Sequence, residues 1–158
     1  RAAPEFSDQG LEAESLFFDP IHFVVRPKHP LLRIDRIQWE HVQEYRWIVW
    51  PKGTPVRNAL DSALAEAGQE LPATTIETNS VTANLTLLNS SDMIGVASHR
   101  AALRLSQLNV LRILPLRLSG FGAVAMYTSK DRFRSLAVQL ALDCLRQVVS
   151  EYGDGWQE

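Results

Sequence analysis

Three short segments combine the hydroxyl, amide and guanidinium groups that an anion needs. Pro51-Lys52-Gly53-Thr54-Pro55-Val56-Arg57 sets a hydroxyl at a helix start and a guanidinium one helical turn further on, where both could meet a carboxylate. Thr78-Asn79-Ser80-Val81-Thr82 is dense in hydroxyls and carries an amide, and Val96-Ala97-Ser98-His99-Arg100 is the third such corner. Each lies where a strand is expected to hand over to a helix, whose N-terminus presents unpaired N–H groups and a partial positive charge. Helix capping alone would explain Thr54 and Ser80. Convergence of three corners on one sheet edge is what raises a binding role above capping.

Elsewhere the residues that do chemistry are not assembled for it. His22, His29, His41 and His99 show neither the i, i+3 or i+4 spacing of a helical metal site nor a cysteine pair to complete one. A surface or strand-end position is the simpler reading for each, and no metal is expected. There is no Gly-rich phosphate loop and no Gly-x-Ser-x-Gly elbow. Cys144, the single cysteine, falls mid-helix on an apolar side, where a thiol behaves as a small hydrophobe. Asp61, Glu66, Glu70 and Asp143 fall on solvated helix faces, so pairing any two as acid and base would be arbitrary. The expectation is a protein that is not an enzyme and carries no cofactor.

The elements that position the three corners follow from periodicity. Leu16-Phe17-Phe18 and Ile21 to Val25 read as strand segments, and Pro27-Lys28-His29-Pro30 ends the second. A short helix or turn is expected over Trp39 to Tyr45, and Trp47 to Trp50 reads as a strand buried on both faces. Thr54 caps a helix with Pro55 at its first position; Val56, Ala59, Leu60, Ala63, Leu64 and Ala67 recur at helical spacing until Gly68 stops it. A strand over Thr74 to Thr78, a helix capped by Asn79 or Ser80, and a strand over Met93 to Ala97 continue the alternation. Then come a helix over Ala101 to Leu108, strands over Leu111 to Leu116 and Gly120 to Tyr127, and a long helix from Asp131 to Tyr152. The last carries Phe133, Leu136, Leu140, Cys144 and Val148 on its apolar side. Strands alternating with helices imply an α/β fold with a mostly parallel sheet covered on both faces.

Composition bounds the class. With 158 residues, 46% hydrophobic and 22% charged, the chain can build one ordinary globular core. Sixteen basic against eighteen acidic residues give a net charge of −2 without a basic stripe, so this chain alone should bind DNA poorly. No apolar run is long enough to cross a bilayer, the N-terminus lacks the apolar stretch of a signal peptide, and one cysteine fits a reducing compartment. A cytoplasmic protein with no membrane contact is expected.

An ordered set of pieces resembles the effector-binding domain of LysR-type transcriptional regulators, which itself resembles type 2 periplasmic binding proteins. The pieces are Leu16 to Val25, His29-Pro30-Leu31, Gly53-Thr54-Pro55-Val56-Arg57, Thr78-Asn79-Ser80, and Asn89 to Ala97, spread over nearly all of residues 16 to 150. Where the family commonly has a proline after the strand of Met93 to Ala97, this chain has Ser98-His99. The resemblance implies one complete lobe over residues 31–120. Residues 16–30 and 121–152 would supply hinge strands and a C-terminal helix belonging to the other lobe, expected here only as remnants truncated on its N-terminal side, with tails at 1–15 and 153–158. It further implies a small inducer, anionic or aromatic, held between two lobes by Thr54, Arg57, Asn79, Ser80, Ala97 and Ser98. Self-association as a dimer or tetramer follows by the same resemblance, as does DNA contact only through an N-terminal helix-turn-helix lying outside this chain.

Two other classes share these features. A solute receptor of a transporter would have the same fold but a secretory signal, and a plain dimerisation module could use the small apolar face from Val56 to Ala67. The last helix has an apolar side wider than residues 31–120 should cover, so part of it is expected to serve a further surface.

Overall fold

The architecture follows from how side chains alternate along a few short apolar strands. In the computed structural model, which describes residues 10–119, 121–130 and 135–153, Trp47, Ile48 and Val49 are all buried. Pleating sends Trp47 and Val49 to one face and Ile48 to the other. Phe23 and Val25 join Trp47, Val49, Ile94 and Val96 in one core cluster, while Val24 and Ile48 belong to a second. A sheet apolar on both faces needs helices on both.

The elements are β1 (Leu11–Val25), α1 (Trp39–Gln43), β2 (Trp47–Val49), α2 (Pro55–Ala67), β3 (Thr75–Glu77) and α3 (Val81–Ser90). They continue with β4 (Ile94–Ser98), α4 (His99–Gln107), β5 (Arg112–Ile113), β6 (Phe121–Ser129) and α5 (Leu136–Gly153). Strand order is β3-β2-β4-β1-β5, with β6 pairing β1. β2 pairs in parallel with β3 and β4, whereas β1 is antiparallel to β4 and β5. The expected mostly parallel sheet is therefore mixed: β2 to β5 share a direction and β1 runs against them.

Two compact units divide the chain, Asp19–Gly122 and a smaller one of Arg1–Phe18 with Ala123–Glu158. In the larger unit α2 supplies Ala59, Leu60 and Leu64 to the core on one face of the sheet, and Leu88 of α3 and Ala102 of α4 fill the core on the other. Phe23 packs edge-on against Trp47, ring centroids 4.8 Å apart, and the Trp47 indole donates to the Val42 carbonyl at 2.9 Å. α2 ends as the sequence predicts: Gly68 takes φ 63°, and its N–H bonds the carbonyls of Leu64 and Ala65.

In the smaller unit Arg146 of α5 forks onto the Glu14 carboxylate at 2.7 Å and bonds Asp143 at 2.9 Å, and Lys130 N–H donates to the Gly10 carbonyl. Leu142 of α5 and Met126 of β6 are buried. Leu136, Leu140, Cys144 and Val148, the side expected to be apolar, are all exposed. At about 100° per residue, Leu142 lies roughly 200° around the helix from Leu140. α5 thus has apolar residues on two sides, and Cys144 is not the buried hydrophobe its spacing suggested.

Several boundaries differ from the sequence expectation. The two strand segments Leu16 to Phe18 and Ile21 to Val25 are one strand that begins at Leu11, inside the expected tail, because Pro20 is tolerated within it. The strand expected over Leu111 to Leu116 shrinks to Arg112–Ile113, and α4 starts at His99 rather than Ala101. Gly120, Asp131 to Arg134 with Phe133, and most of the expected tails lie outside the described residues.

Candidate functional site

Since β2, β3 and β4 are adjacent and parallel, their carboxyl ends fall on one edge of the sheet, and each is followed by a helix. The three expected corners are thereby brought together. Antiparallel β1 enters at the same edge, with Ile21 opposite Ser98 and His22 opposite Ala97.

At the first corner Thr54 is the N-cap residue, yet its hydroxyl makes no capping bond; it donates instead to the Pro51 carbonyl at 2.8 Å. Pro55 has no N–H, and the Asn58 N–H is satisfied by the Thr54 carbonyl. Arg57 does not face outward as its spacing suggested. Its side chain is only 5% exposed and is engaged within the protein: Nε donates to Asp61 at 2.8 Å, and Nη1 donates to Glu77 and to the Trp50 carbonyl, each at 3.1 Å. Burial opposes the guanidinium charge, but Asp61 and Glu77 outweigh it and raise the Arg57 pKa further above its usual range. A buried guanidinium must be paired, and three acceptors lay within reach, on α2, just after β2 and on β3. In this arrangement Arg57 ties together the ends that form the edge.

At the second corner Ser80 is a true cap. Its Oγ accepts from the Ala83 N–H at 3.2 Å, and its own N–H donates to the Thr78 hydroxyl at 3.1 Å. Asn79 and Ser80 are both exposed. At the third corner Ser98 caps α4 by position but without a side-chain bond, and Ala97 and Ser98 are half-buried. A carboxylate is already present there: Asp19 of β1 accepts from the Arg100 N–H at 3.2 Å.

Two histidine arrangements escaped the sequence reading. His22 Nε2 lies 2.8 Å from His99 Nδ1, and burial is the main cause holding the His22 pKa below its ordinary value. His29 is 1% exposed rather than superficial. Its Nδ1 accepts from the Leu31 N–H and its Nε2 meets the Asp92 carbonyl, so the ring is neutral with its proton on Nε2. Spacing could not show either one, since the partners are distant in sequence. The His29-Pro30-Leu31 motif is thus a folding device: His29 caps the turn Pro30–Arg33, and Leu31 fills the core.

A cavity of about 480 Å³, lined by Trp39, Ala63, Glu66, Ala67, Arg117, Leu118 and Ser119, adjoins the other end of α2 and none of the three corners. Among the described residues no group of three or more His, Cys, Asp or Glu could hold a metal. Nor, among them, is any helix long and apolar enough to cross a membrane.

Helix N-termini gathered beyond the carboxyl ends of neighbouring strands are the layout with which open α/β sheets receive ligands. Residues 1–150 match the LysR substrate binding domain family, and the chain belongs to it. It is 30% identical over 143 residues to the HTH-type transcriptional regulator GalR of Pseudomonas putida, covering 89% of this chain and 36% of that protein. The effector binding domain of QuiR in complex with shikimate is similar, with TM-score 0.73 at 17% identity, covering 94% of this chain and 70% of that one. So is the regulatory domain of CcmR from Synechocystis PCC6803 in complex with 2-PG, with TM-score 0.75 at 18% identity, covering 94% and 71%. At those identities the two structures share the fold. The chain spans between 36% and 50% of the length of the curated relatives it matches.

Proposed function

We propose that this chain is the ligand-sensing part of a LysR-type transcriptional regulator and receives a small carboxylate-bearing effector on the carboxyl edge of its larger unit. The observation that carries this reading is the convergence of the N-termini of α2, α3 and α4 on that edge. Thr54, Asn79, Ser80, Ala97 and Ser98 would line it, with Arg57 holding the edge in shape from beneath. Residues 31–120 would form one lobe, with 16–30 and 121–152 contributing to another. The whole protein would act in the cytoplasm, contact DNA through a helix-turn-helix outside this chain and work as a dimer or tetramer. A ligand can switch such a protein only if it binds one conformation better than the other. The relatives are named as transcriptional regulators, which favours this reading over a transporter's receptor.

Calorimetry on the full-length regulator with shikimate, 2-PG and simple aromatic carboxylates as probes tests it. At least one anion should bind, and Ser80→Ala should weaken binding by about 1 kcal/mol or somewhat more if the hydroxyl meets a charged group. Unchanged affinity in Ser80→Ala would leave Ser80 a helix cap alone. Unchanged affinity in Thr54→Val and Asn79→Ala as well would remove the edge as the binding site.

A further inference from the structure

Two hydrogen bonds tie the first residues of α4 to β1. The His22 and His99 nitrogens are 2.8 Å apart with ring centroids at 5.0 Å, and the Arg100 N–H donates to Asp19 at 3.2 Å. The antiparallel register of β1 and β4 brings them together, since His22 lies opposite Ala97 and His99 opens the helix that follows Ser98. Asp19 is also the residue at which β1 enters the larger unit.

Two imidazole nitrogens at that distance need one proton between them, one ring donating and the other accepting. When both rings are imidazolium, two donors face each other, and attraction becomes repulsion between like charges. Among the described residues, the charged groups beside the pair include Asp19 on β1 and, next to His99 in α4, Arg100. Asp19 favours charge on His22, while burial and His99 oppose it.

We propose that the His22–His99 contact is a proton-operated latch between β1 and α4, closed while at most one of the two rings is imidazolium and opened when both are. Opening would also leave two imidazolium groups beside the carboxyl edge, making that corner more attractive to an anion. Because the latch does not require an effector, its failure would leave the ligand-edge reading standing.

The test is a pH titration by NMR of the isotopically labelled protein, with imidazole resonances assigned by His22→Gln and His99→Gln. A nitrogen–nitrogen scalar coupling across the hydrogen bond should be present while at least one ring is neutral and lost once the ring resonances show both to be imidazolium. The backbone amides of His22 and Arg100 should shift with the same midpoint. In His99→Gln the His22 midpoint should rise, because the competing positive charge is gone. A His22 midpoint unmoved by His99→Gln would overturn the latch. Should that variant fail to fold by circular dichroism, the wild-type coupling decides: present while a ring is neutral and lost when both are charged supports the latch, while absence in the neutral pair or persistence with both rings charged rejects it.

Discussion

His29 donates from Nε2 to the main-chain carbonyl of Asp92 at 3.0 Å, and Arg26 binds the carboxylate of the same residue at 2.6 Å. The turn after β1 is thus pinned to the segment between α3 and β4 through both ends of Asp92. Burial, together with the nearby Arg26, pushes the His29 pKa below its ordinary value against the pull of Asp92. The unfolded chain therefore binds the proton more readily than the folded one. Stability should be level above about pH 6.5 and fall as the pH drops below it. Urea unfolding over a pH series should show this loss, and His29→Gln should reduce its slope while costing about 1 kcal/mol at neutral pH. An unchanged slope would mean that His29 is not the group taking up the proton; the slope left in the variant belongs in part to His22.

Gly95 sits directly under Leu88. A Cβ built on it would lie 2.9 Å from Leu88 Cδ1, 3.2 Å from Cδ2 and 3.3 Å from Val24 Cγ2. Leu88 and Val24 are both buried, so neither can retreat freely. Gly95→Ala should destabilise by about 1–3 kcal/mol through overpacking. Combining it with Leu88→Ala should cost less than the sum of the two single changes, because the removed atoms are those that clash. Additive costs in thermal unfolding would contradict the close approach of α3 to β4.

Arg57 has a positional role that distinguishes it from a ligand group. Arg57→Ala leaves the Trp50 carbonyl and two carboxylates without their shared donor, and a loss of about 2 kcal/mol is expected. Asp61 and Glu77 are each about half exposed, so water should recover part of the larger penalty known for a fully buried pair. Arg57→Lys should restore only part of the loss, since an ammonium cannot reproduce the planar fork. Full rescue by lysine in chemical denaturation would argue against the fork geometry.

The outward side of α5 should make the isolated chain self-associate. Leu136 is 71% exposed, Leu140 57% and Val148 52%. Covering apolar area contributes about 25 cal/mol per Å², so a few hundred Å² would favour association by several kcal/mol before entropic losses. Light scattering should show an assembly that weakens when Leu140→Glu and Val148→Glu are combined. A wild-type monomer at high concentration would show that this face does not drive association.

The local pattern along the chain determined most of the elements. Thr54, Pro55, the apolar spacing from Val56 to Ala67 and the left-handed Gly68 specify α2 without reference to anything distant, and the three corner segments were legible because caps and hydroxyls are written locally. Tertiary structure decided everything that depends on a partner far along the chain. The reversed direction of β1, the engagement of Arg57 with Glu77, the hold of His29 on Asp92 and the meeting of His22 with His99, 77 residues away, all arise only once the sheet has assembled. Periodicity reports which face a residue occupies, but not what stands opposite. A hydrogen bond depends on that opposite group, and so the same Arg57 and His29 that read as surface chemistry along the chain became, in the fold, the internal ties of the carboxyl edge and of the turn at the opposite end of the sheet.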